Sequence, residues 1–289
     1  MIPPNTLTCI TKVFNKCQLH HYFLPSWKIA YVLMFLKPGQ SHKLPGNYRP
    51  ISLLSNLRKI YEKVILARLK EHCSDLQVIP DEQYGFRPNH SCEHQLFRVT
   101  SLITHGFNNK LYNGGVFLDV RKAFDRMWHN GLIYKLIANK LHHYLIDIKT
   151  LFLRNRTFTV KLNSTISETG HIKADTLQGS ILNPFLYTVY TADFPMSNHI
   201  TNCFFADDTS TTKFVIRTLQ LGLIEIEKWC TLWGVAINSD KTGSVIFGKG
   251  HPRNNLQSLT FFEEELSWDK EVNYLGLILD FKLTFRSHI

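Results

Sequence analysis

The sequence predicts an α+β fold, because segments with helical and with strand periodicity alternate along the chain without the regular spacing of βαβ units. Helical spacing is clearest at 53–69 and 219–233, where apolar residues recur every three or four positions. Short apolar runs that end in charged or turn-forming residues predict buried strands, and 116–118, which Asp119 follows directly, is the clearest of them. We therefore expect a sheet of short strands with amphipathic helices packed against it.

The first half of the chain is predicted to alternate strands with helices. A strand at 29–36 leads into a turn-rich loop, 37–50, that carries the basic or near-basic side chains Lys37, His42, Lys43 and Arg49. A helix then begins at about Ser52, and its polar positions should form a basic outer face made of Arg58, Lys59, Glu62 and Lys63. Such a face suits solvent and nucleic acid equally well. A second helix is predicted at 92–107.

The second half is predicted to contain hairpins and two further helices. One hairpin pairs 157–162 with the segment around Ile172, and a helix follows Gly179-Ser180 and runs to about Tyr190. Two short strands, 200–206 and 209–214, are separated by Asp207-Asp208, because Asp tolerates the positive φ of a two-residue hairpin connection. The remaining elements are a helix that ends at Gly234 and strands at 244–247 and 272–279.

Acids at strand ends are the strongest indication of chemistry. Asp119 ends a strand built to be buried, where a carboxylate is costly to desolvate unless a cation or hydrogen-bond donors meet it. Asp207-Asp208 is a weak motif alone, since 81–82 and 263–265 are also acidic. If these strands are neighbours, about 4.8 Å apart, the acids converge on shared cations. Hard oxygen ligands favour Mg²⁺ or Mn²⁺, and two such ions suit nucleotidyl transfer.

Composition and charge indicate a polyanionic partner. The 289 residues are 44% hydrophobic, enough for a core, and 33 Lys and Arg stand against 23 Asp and Glu. Nucleic acid is favoured over a membrane surface, because no Lys-rich amphipathic helix of the membrane-binding kind is evident. We predict an intracellular protein that is not secreted. The cysteines are scattered without a C-x-x-C pair, no apolar run has the length to span a membrane, and the sequence shows no signal peptide. The sequence indicates no oligomeric state.

An ordered set of motifs resembles the reverse transcriptase domain of non-LTR retrotransposons, and of jockey-like elements in particular. The motifs are NYRPISLL (47–54), QYGFRPNHS (83–91), VFLDVRKAFD (116–125), LQGSILNPFLY (177–187), FADDT (205–209), WGVAINSDKT (233–242) and NYLGLILD (273–280). Each motif is weak alone, but the set in this order is specific. The resemblance implies a right-hand polymerase domain over 26–289 after an N-terminal segment, 1–25. Fingers would comprise 26–112 and 140–175, and palm 113–139 and 176–289.

The resemblance also implies an activity and the residues that carry it. The activity is RNA-directed DNA polymerisation with two Mg²⁺ or Mn²⁺ ions, an RNA template, a DNA primer and a deoxynucleoside triphosphate, in the nucleus at the target site and in the cytoplasm. The catalytic acids match Asp119, Asp207 and Asp208, and Val120 joins these three as a metal ligand. Nucleotide-binding positions match Lys37, Arg49, Phe124, Gln178, Gly179 and Lys241, with Arg58 as a weaker match. Primer or template positions match Arg87 and the turn Tyr274, Leu275 and Gly276.

Two of these assignments compete with simpler interpretations. Phe124 matches the bulky residue that crowds a ribose 2′-oxygen and so favours deoxynucleotides, whereas outside the motif it would be an ordinary packed Phe. Lys241 matches a lysine that approaches the pyrophosphate, and a solvated lysine after Asp240 is the equal alternative.

The chain departs from the family pattern near the site. Phe205 stands where Tyr is usual, and 175–177 reads Asp-Thr-Leu where Gly-Val-Pro is usual, which changes the backbone freedom of that loop and adds an anion. We also expect a chain without the upstream endonuclease domain and with a missing or truncated thumb. The alternative function is therefore a catalytically inactive retroelement fragment that at most binds nucleic acid. A palm-type nucleotide cyclase ranks last, because it has no use for the YRPIS and QGS elements.

Overall fold

Two compact units make up the chain in the computed structural model, which describes residues 3–121, 123–124, 126–162, 165–172, 179–196, 200–206, 208–213, 216–250 and 256–288. The first unit comprises Met1–Val78 and Phe124–Tyr190, and the second comprises Ile79–Ala123 and Thr191–Ile289. Helices and strands alternate in both, so the predicted α+β class is confirmed. The boundaries given above for fingers and palm stay a prediction.

The helices and strands are numbered in chain order. The helices are α1 (Pro4–Leu19), α2 (Asn56–Asp75), α3 (Cys92–Asn108), α4 (His129–Ala138), α5 (His143–Leu153), α6 (Asn183–Tyr190) and α7 (Ile216–Trp233). The strands are β1 (Ile29–Leu36), β2 (Tyr48–Leu53), β3 (Asn113–Asp119), β4 (Arg156–Leu162), β5 (Thr165–Ile166), β6 (Gly170–Ile172), β7 (Thr201–Phe205), β8 (Asp208–Lys213), β9 (Gly243–Phe247), β10 (Leu259–Phe261), β11 (Glu264–Leu266), β12 (Trp268–Asp269), β13 (Glu271–Tyr274) and β14 (Leu277–Asp280). No helix in the described part of the chain has both the length and the apolar character to span a bilayer.

The sheet of the first unit has the order β2-β1-β4-β5, and β6 also pairs with β4. β1 runs antiparallel to β2 and parallel to β4. Beside it, aromatic rings of α1, α2 and the segment before β1 pack together: the ring of Tyr61 lies 5.1 Å from that of Phe14 and 5.2 Å from that of Trp27. This aromatic cluster buries the inner face of α2.

The sheet of the second unit has the order β12-β9-β3-β8-β7, with β3 at its centre. β3 is antiparallel to both β8 and β9, and its residues are buried up to Leu118. On α3, Val99, Ile103 and Phe107 pack against a core that includes Phe117 of β3. This packing explains why residues 116–118 of β3 are apolar, and it leaves Asp119 partly exposed at the end of the strand.

Helix ends follow local sequence chemistry in the second unit. α3 begins after Ser91, whose side chain accepts a hydrogen bond from the amide of His94 while the His94 ring meets the Ser91 amide. α7 ends at Trp233, and Gly234 has a φ of +67°, which a residue without Cβ adopts at little cost. The predicted helices at 92–107 and 219–233 are therefore confirmed within one to three residues.

The predicted strands at 29–36 and 244–247, the pairing of 157–162 with the Ile172 segment and the helix that runs to Tyr190 are also confirmed. Two other predictions are wrong in their bounds. The helix predicted from Ser52 begins at Asn56, because Tyr48–Leu53 pairs with β1 as a strand. The single strand predicted at 272–279 is a hairpin, β13 and β14, joined at residues 275–276.

The predicted outer face of α2 is also wrong at two positions. Arg58 and Glu62 are 1% and 0% exposed, and they form an ion pair with an Nε–Oε1 distance of 2.7 Å. Helical periodicity alone assigns charged residues to solvent, but a charged pair can be buried when each member satisfies the other.

Alkaline solution should weaken the fold through buried thiol and phenol groups. Burial raises the pKa of the Cys230 thiol from 9.0 to about 12, and burial also raises the pKa values of Tyr61 and Tyr274. The folded chain keeps these protons when the unfolded chain has lost them, so their contribution is complete below about pH 9 and falls as the pH rises further. Denaturant titrations should show the unfolding free energy decreasing between about pH 9 and about pH 12, by at most about 1.4 kcal/mol per pH unit for each group. Cys230→Ala should make this decrease shallower, and an unchanged slope in that variant would contradict the assignment.

Candidate active site

Asp119 and Asp208 face each other across the centre of the second unit's sheet. They are directly opposite in the register of the antiparallel strands β3 and β8. Opposite residues in such a pair project from the same face, with their Cβ atoms about 4.5–5.5 Å apart. Asp119 is 22% exposed and Asp208 is partly buried, so both carboxylates remain accessible to a ligand. Asp207 lies outside the described residues.

The β7–β8 turn differs from the predicted one. β7 ends at Phe205, β8 begins at Asp208, and these two residues are paired. The prediction that both acids occupy the connection is wrong, because Asp208 is the first residue of β8. Ala206 has the positive φ, 58°, that the tight connection demands. This one-residue shift places Asp208 in register with Asp119.

Gln83 braces this turn from the side. Its Oε1 accepts hydrogen bonds from the amides of Ala206, at 3.0 Å, and Gly85, at 2.8 Å. The chain around it adds to the sheet edge, since the Tyr84 amide donates to the Phe204 carbonyl at 2.9 Å and the Phe204 amide donates to the Glu82 carbonyl at 3.1 Å. Gln83 is 3% exposed, so the turn is held by a buried amide.

Asp119 has the partners that a carboxylate at the end of a buried strand requires. The Asn238 side chain donates to Asp119 Oδ2 at 2.9 Å, and the Asn238 amide donates to the Asp119 carbonyl at 2.8 Å. Lys241 Nζ lies 3.6 Å from Asp119 Oδ2, although the Lys241 side chain is 68% exposed. An ion pair this open contributes about 1 kcal/mol or less, so Lys241 can leave Asp119 when a ligand arrives.

Val120 extends the same strand toward the segment after α7. It forms an antiparallel bridge with Ile237, and the Arg121 amide donates to the Ala236 carbonyl at 2.7 Å. The main chain directly after Asp119 is thus held by this bridge and this hydrogen bond.

The donor set fits a hard divalent cation. Carboxylates on one sheet face are the ligand type that Mg²⁺ and Mn²⁺ prefer. Within the described ranges, no group of three or more His, Cys, Asp or Glu side chains is close enough to hold a metal ion. Asp119 and Asp208 are the two predicted metal-binding side chains that lie within those ranges, and they share one face.

Other predicted residues of the second unit have defined positions. Tyr274 is 2% exposed and closes β13, and the turn to β14 consists of Leu275 and Gly276, with φ values of 51° and 81°. Gly276 is required there by its backbone angle. The Arg87 guanidinium donates to the Pro80 carbonyl at 3.0 Å and lies 3.4 Å from an Asp81 oxygen, so it braces its own loop.

Five predicted nucleotide-binding residues lie in the described part of the first unit, and one of them, the weaker match Arg58, is buried in its ion pair with Glu62. Lys37 is the first residue after β1, and its Nζ donates to the Gly46 carbonyl at 2.9 Å, whereas Arg49 is exposed on β2. The Phe124 ring packs 5.2 Å from that of Tyr187. Gly179 has a φ of +118°, while Gln178 and the unusual 175–177 lie outside the described residues.

The structure adds two residues to the site that sequence reasoning had not singled out. Asn238 holds Asp119, and Gln83 holds the β7–β8 turn. Both lie inside motifs quoted above, WGVAINSDKT and QYGFRPNHS, so the motif positions were available as a signal. Asn238 contacts Asp119 from 119 positions away in the chain, and Gln83 contacts Ala206 from 123 positions away. Sequence spacing does not reveal contacts over such distances.

Comparison with known proteins identifies the family of the chain. The family model described as "Reverse transcriptase (RNA-dependent DNA polymerase)" matches residues 36–279. The chain is 33% identical over 302 residues to a probable RNA-directed DNA polymerase from transposon BS of Drosophila melanogaster. It is 35% identical over 303 residues to the RNA-directed DNA polymerase from mobile element jockey of Drosophila funebris. Both alignments cover 100% of this chain, which spans 33% of the length of each relative.

Solved structures support the fold. The structure of an apo telomerase from Candida tropicalis, truncated from its C-terminal domain, superposes with a TM-score of 0.62 at 12% identity and covers 94% of this chain and 58% of that one. A telomerase from Candida albicans, in complex with a fragment of telomeric RNA, gives a TM-score of 0.60 at 11% identity, over 89% of this chain and 47% of that one. The predicted right-hand polymerase fold is therefore confirmed. With its ordered motifs, this fold and these relatives, the chain belongs to the reverse transcriptase (RNA-dependent DNA polymerase) family, as a domain of the non-LTR, jockey-like kind.

Proposed function

We propose that this chain carries the polymerase site of a non-LTR retrotransposon protein and extends a DNA primer on an RNA template. The observation that carries the proposal is the cross-strand pair of Asp119 and Asp208, both part-exposed at the end of a buried sheet centre. Family membership supplies the reaction class, and the pair supplies the place where that reaction can occur. The chromosomal target of such an element would place the reaction in the nucleus.

The acids act together with the groups that hold them. Asp119, Asp208 and Asp207, with the main-chain carbonyl of Val120, would bind two Mg²⁺ or Mn²⁺ ions. When bound, such ions activate the primer 3′-hydroxyl and stabilise the departing pyrophosphate. Asn238 keeps Asp119 in place by donating to Oδ2, and this leaves the other carboxylate oxygen for a ligand. Lys241, released from its open ion pair, would meet the negative charge of the triphosphate.

The remaining assignments concern nucleotide and nucleic acid. Lys37, which is partly exposed, and Arg49, which is exposed, are cations of the first unit and suit triphosphate oxygens. Phe124 is braced by Tyr187, and a braced ring can reject a ribose 2′-hydroxyl better than a mobile one can. Gln178 and Gly179 would lie against the incoming nucleotide, and the Tyr274-Leu275-Gly276 turn and Arg87 would contact primer or template.

Primer extension on an RNA template tests the proposal. Purified chain should extend a labelled DNA primer with deoxynucleotides when Mg²⁺ or Mn²⁺ is present. Chelation of the metal should abolish extension, and Asp207→Asn should abolish it as well. Equal product from Asp207→Asn would remove the site assignment, and a wild-type chain that binds template but never extends the primer would favour an inactive fragment.

A further inference from the structure

A buried carboxylate of α2 holds the segment that follows Gly179. Glu62 Oε2 accepts hydrogen bonds from the Ser180 hydroxyl at 2.7 Å and from the Ile181 amide at 2.8 Å. Its other oxygen, Oε1, accepts from Arg58 Nε at 2.7 Å. One carboxylate therefore joins α2 to a loop more than a hundred residues away in the chain, and all of these groups lie in the first unit.

The arrangement is unusual because both charged groups, the Arg58 guanidinium and the Glu62 carboxylate, are buried. Arg58 is 1% exposed and Glu62 is 0% exposed. Burial lowers the pKa of the Arg58 guanidinium, and the Glu62 carboxylate opposes that shift. Arg58 is fixed further by donating to the Trp27 carbonyl. A buried ion pair adds little net stability compared with apolar side chains of the same size, so stability alone is a poor reason for this one.

The held segment is also confined from its other side. Gly179 has a φ of +118°, and a Cβ there would lie 2.7 Å from the Ser52 carbonyl oxygen of β2. Immediately afterwards, the Leu182 amide donates to the Ser180 hydroxyl at 3.3 Å, and α6 begins at Asn183. The backbone of 179–181 thus lies close to β2 at Gly179 and is hydrogen-bonded to the Glu62 carboxylate through Ser180 and Ile181.

We propose that Glu62, kept in place by Arg58, is a positioning residue that presents Gly179 to the incoming nucleotide. The proposal rests on the proposed function, because that function assigns the nucleotide to this loop. Glu62 itself touches no reactant. It acts by fixing Ser180 and Ile181, the two residues that follow Gly179, and so limits where Gly179 can lie.

Glu62→Gln tests whether position 62 must accept hydrogen bonds on both oxygens of its side chain. A glutamine has one acceptor oxygen, so it can serve Arg58 or the Ser180–Ile181 pair, but not both. With its oxygen toward Arg58, its amide group faces the Ile181 amide, which is also a donor. With its oxygen toward Ile181, its amide group faces Arg58. Either orientation loosens the loop or leaves a buried cation unpaired.

Hydrogen–deuterium exchange and primer-extension kinetics should be measured on the same proteins. We expect faster exchange at the Ile181 amide in Glu62→Gln than in wild type. We also expect the KM for deoxynucleotide to rise on the order of tenfold, as the loss of a hydrogen bond to a charged group implies, with template affinity unchanged. Glu71→Gln, which removes the same charge from an exposed position of α2, should behave like wild type in both measurements.

A double variant keeps the test decisive if Glu62→Gln fails to fold. Arg58→Met with Glu62→Leu removes both charges and keeps the core filled, so it should fold while the hold on Ser180 and Ile181 is lost. It should show the same rise in KM and the same faster exchange. An active wild type with an unchanged KM in the double variant would overturn the positioning role and leave the polymerase assignment intact. A wild type without primer extension would overturn both.

Discussion

Asp119→Asn and Asp208→Asn should each reduce primer extension by more than about 100-fold. Even a residue that only hydrogen-bonds a metal ligand typically accounts for about 10- to 100-fold in metal affinity or activity, and these two acids are proposed as ligands themselves. The register pairs them across β3 and β8, so each substitution removes one of two neighbouring carboxylates. Single-turnover extension at saturating deoxynucleotide, with Mg²⁺ and then with Mn²⁺, measures the effect.

A graded series distinguishes ligands from supporting groups. Asn238→Ala removes only the side-chain donor to Asp119. Its loss of primer-extension activity should therefore be smaller than that of Asp119→Asn, and high metal concentration should partly restore the activity. Glu265→Gln, at an exposed position of β11, is the matched charge control and should be silent. Full activity in Asp119→Asn would exclude the acid pair as the polymerase site.

Gly85→Ala should disrupt the β7–β8 turn and most of the activity with it. An added Cβ would lie 2.1 Å from the Ala206 amide nitrogen and 2.7 Å from the Ala206 Cα, and neither is a flexible side chain that could move aside. Overpacking of this kind typically costs about 1–3 kcal/mol, and here the strain falls on the turn before Asp208. We expect a lower unfolding free energy in denaturant and a marked loss of primer extension.

Gly46→Ala is the matched control for this change. A Cβ at Gly46 would meet nothing within 4 Å, and its backbone is not in the left-handed region. Gly46→Ala should therefore match wild type in both stability and extension. If Gly85→Ala matched wild type as well, the close approach of the 83–85 segment to the turn would be refuted.

Some segments of the fold could be predicted from the sequence, and others could not. Strand β1 and helices α3 and α7 could be predicted within one to three residues, because each has a local periodicity and a recognisable end, such as Ser91 before α3 and Gly234 after α7. Tyr48–Leu53 could not be separated from the helix that follows, because its strand character comes from pairing with β1. Arg58 and Glu62 were assigned to solvent for the same reason: only a partner in space makes a buried charge acceptable.

The sequence by itself determined the family, the α+β class and the candidate acids, because ordered motifs and side-chain periodicity are properties of the chain alone. Only the tertiary structure decided that Asp208 belongs to β8 opposite Asp119, that Asn238 and Gln83 support the site, and that Glu62 holds the loop after Gly179. Each of these depends on strand register or on a hydrogen bond between distant residues. Such contacts arise from packing of the whole unit, and no local pattern of residues encodes them.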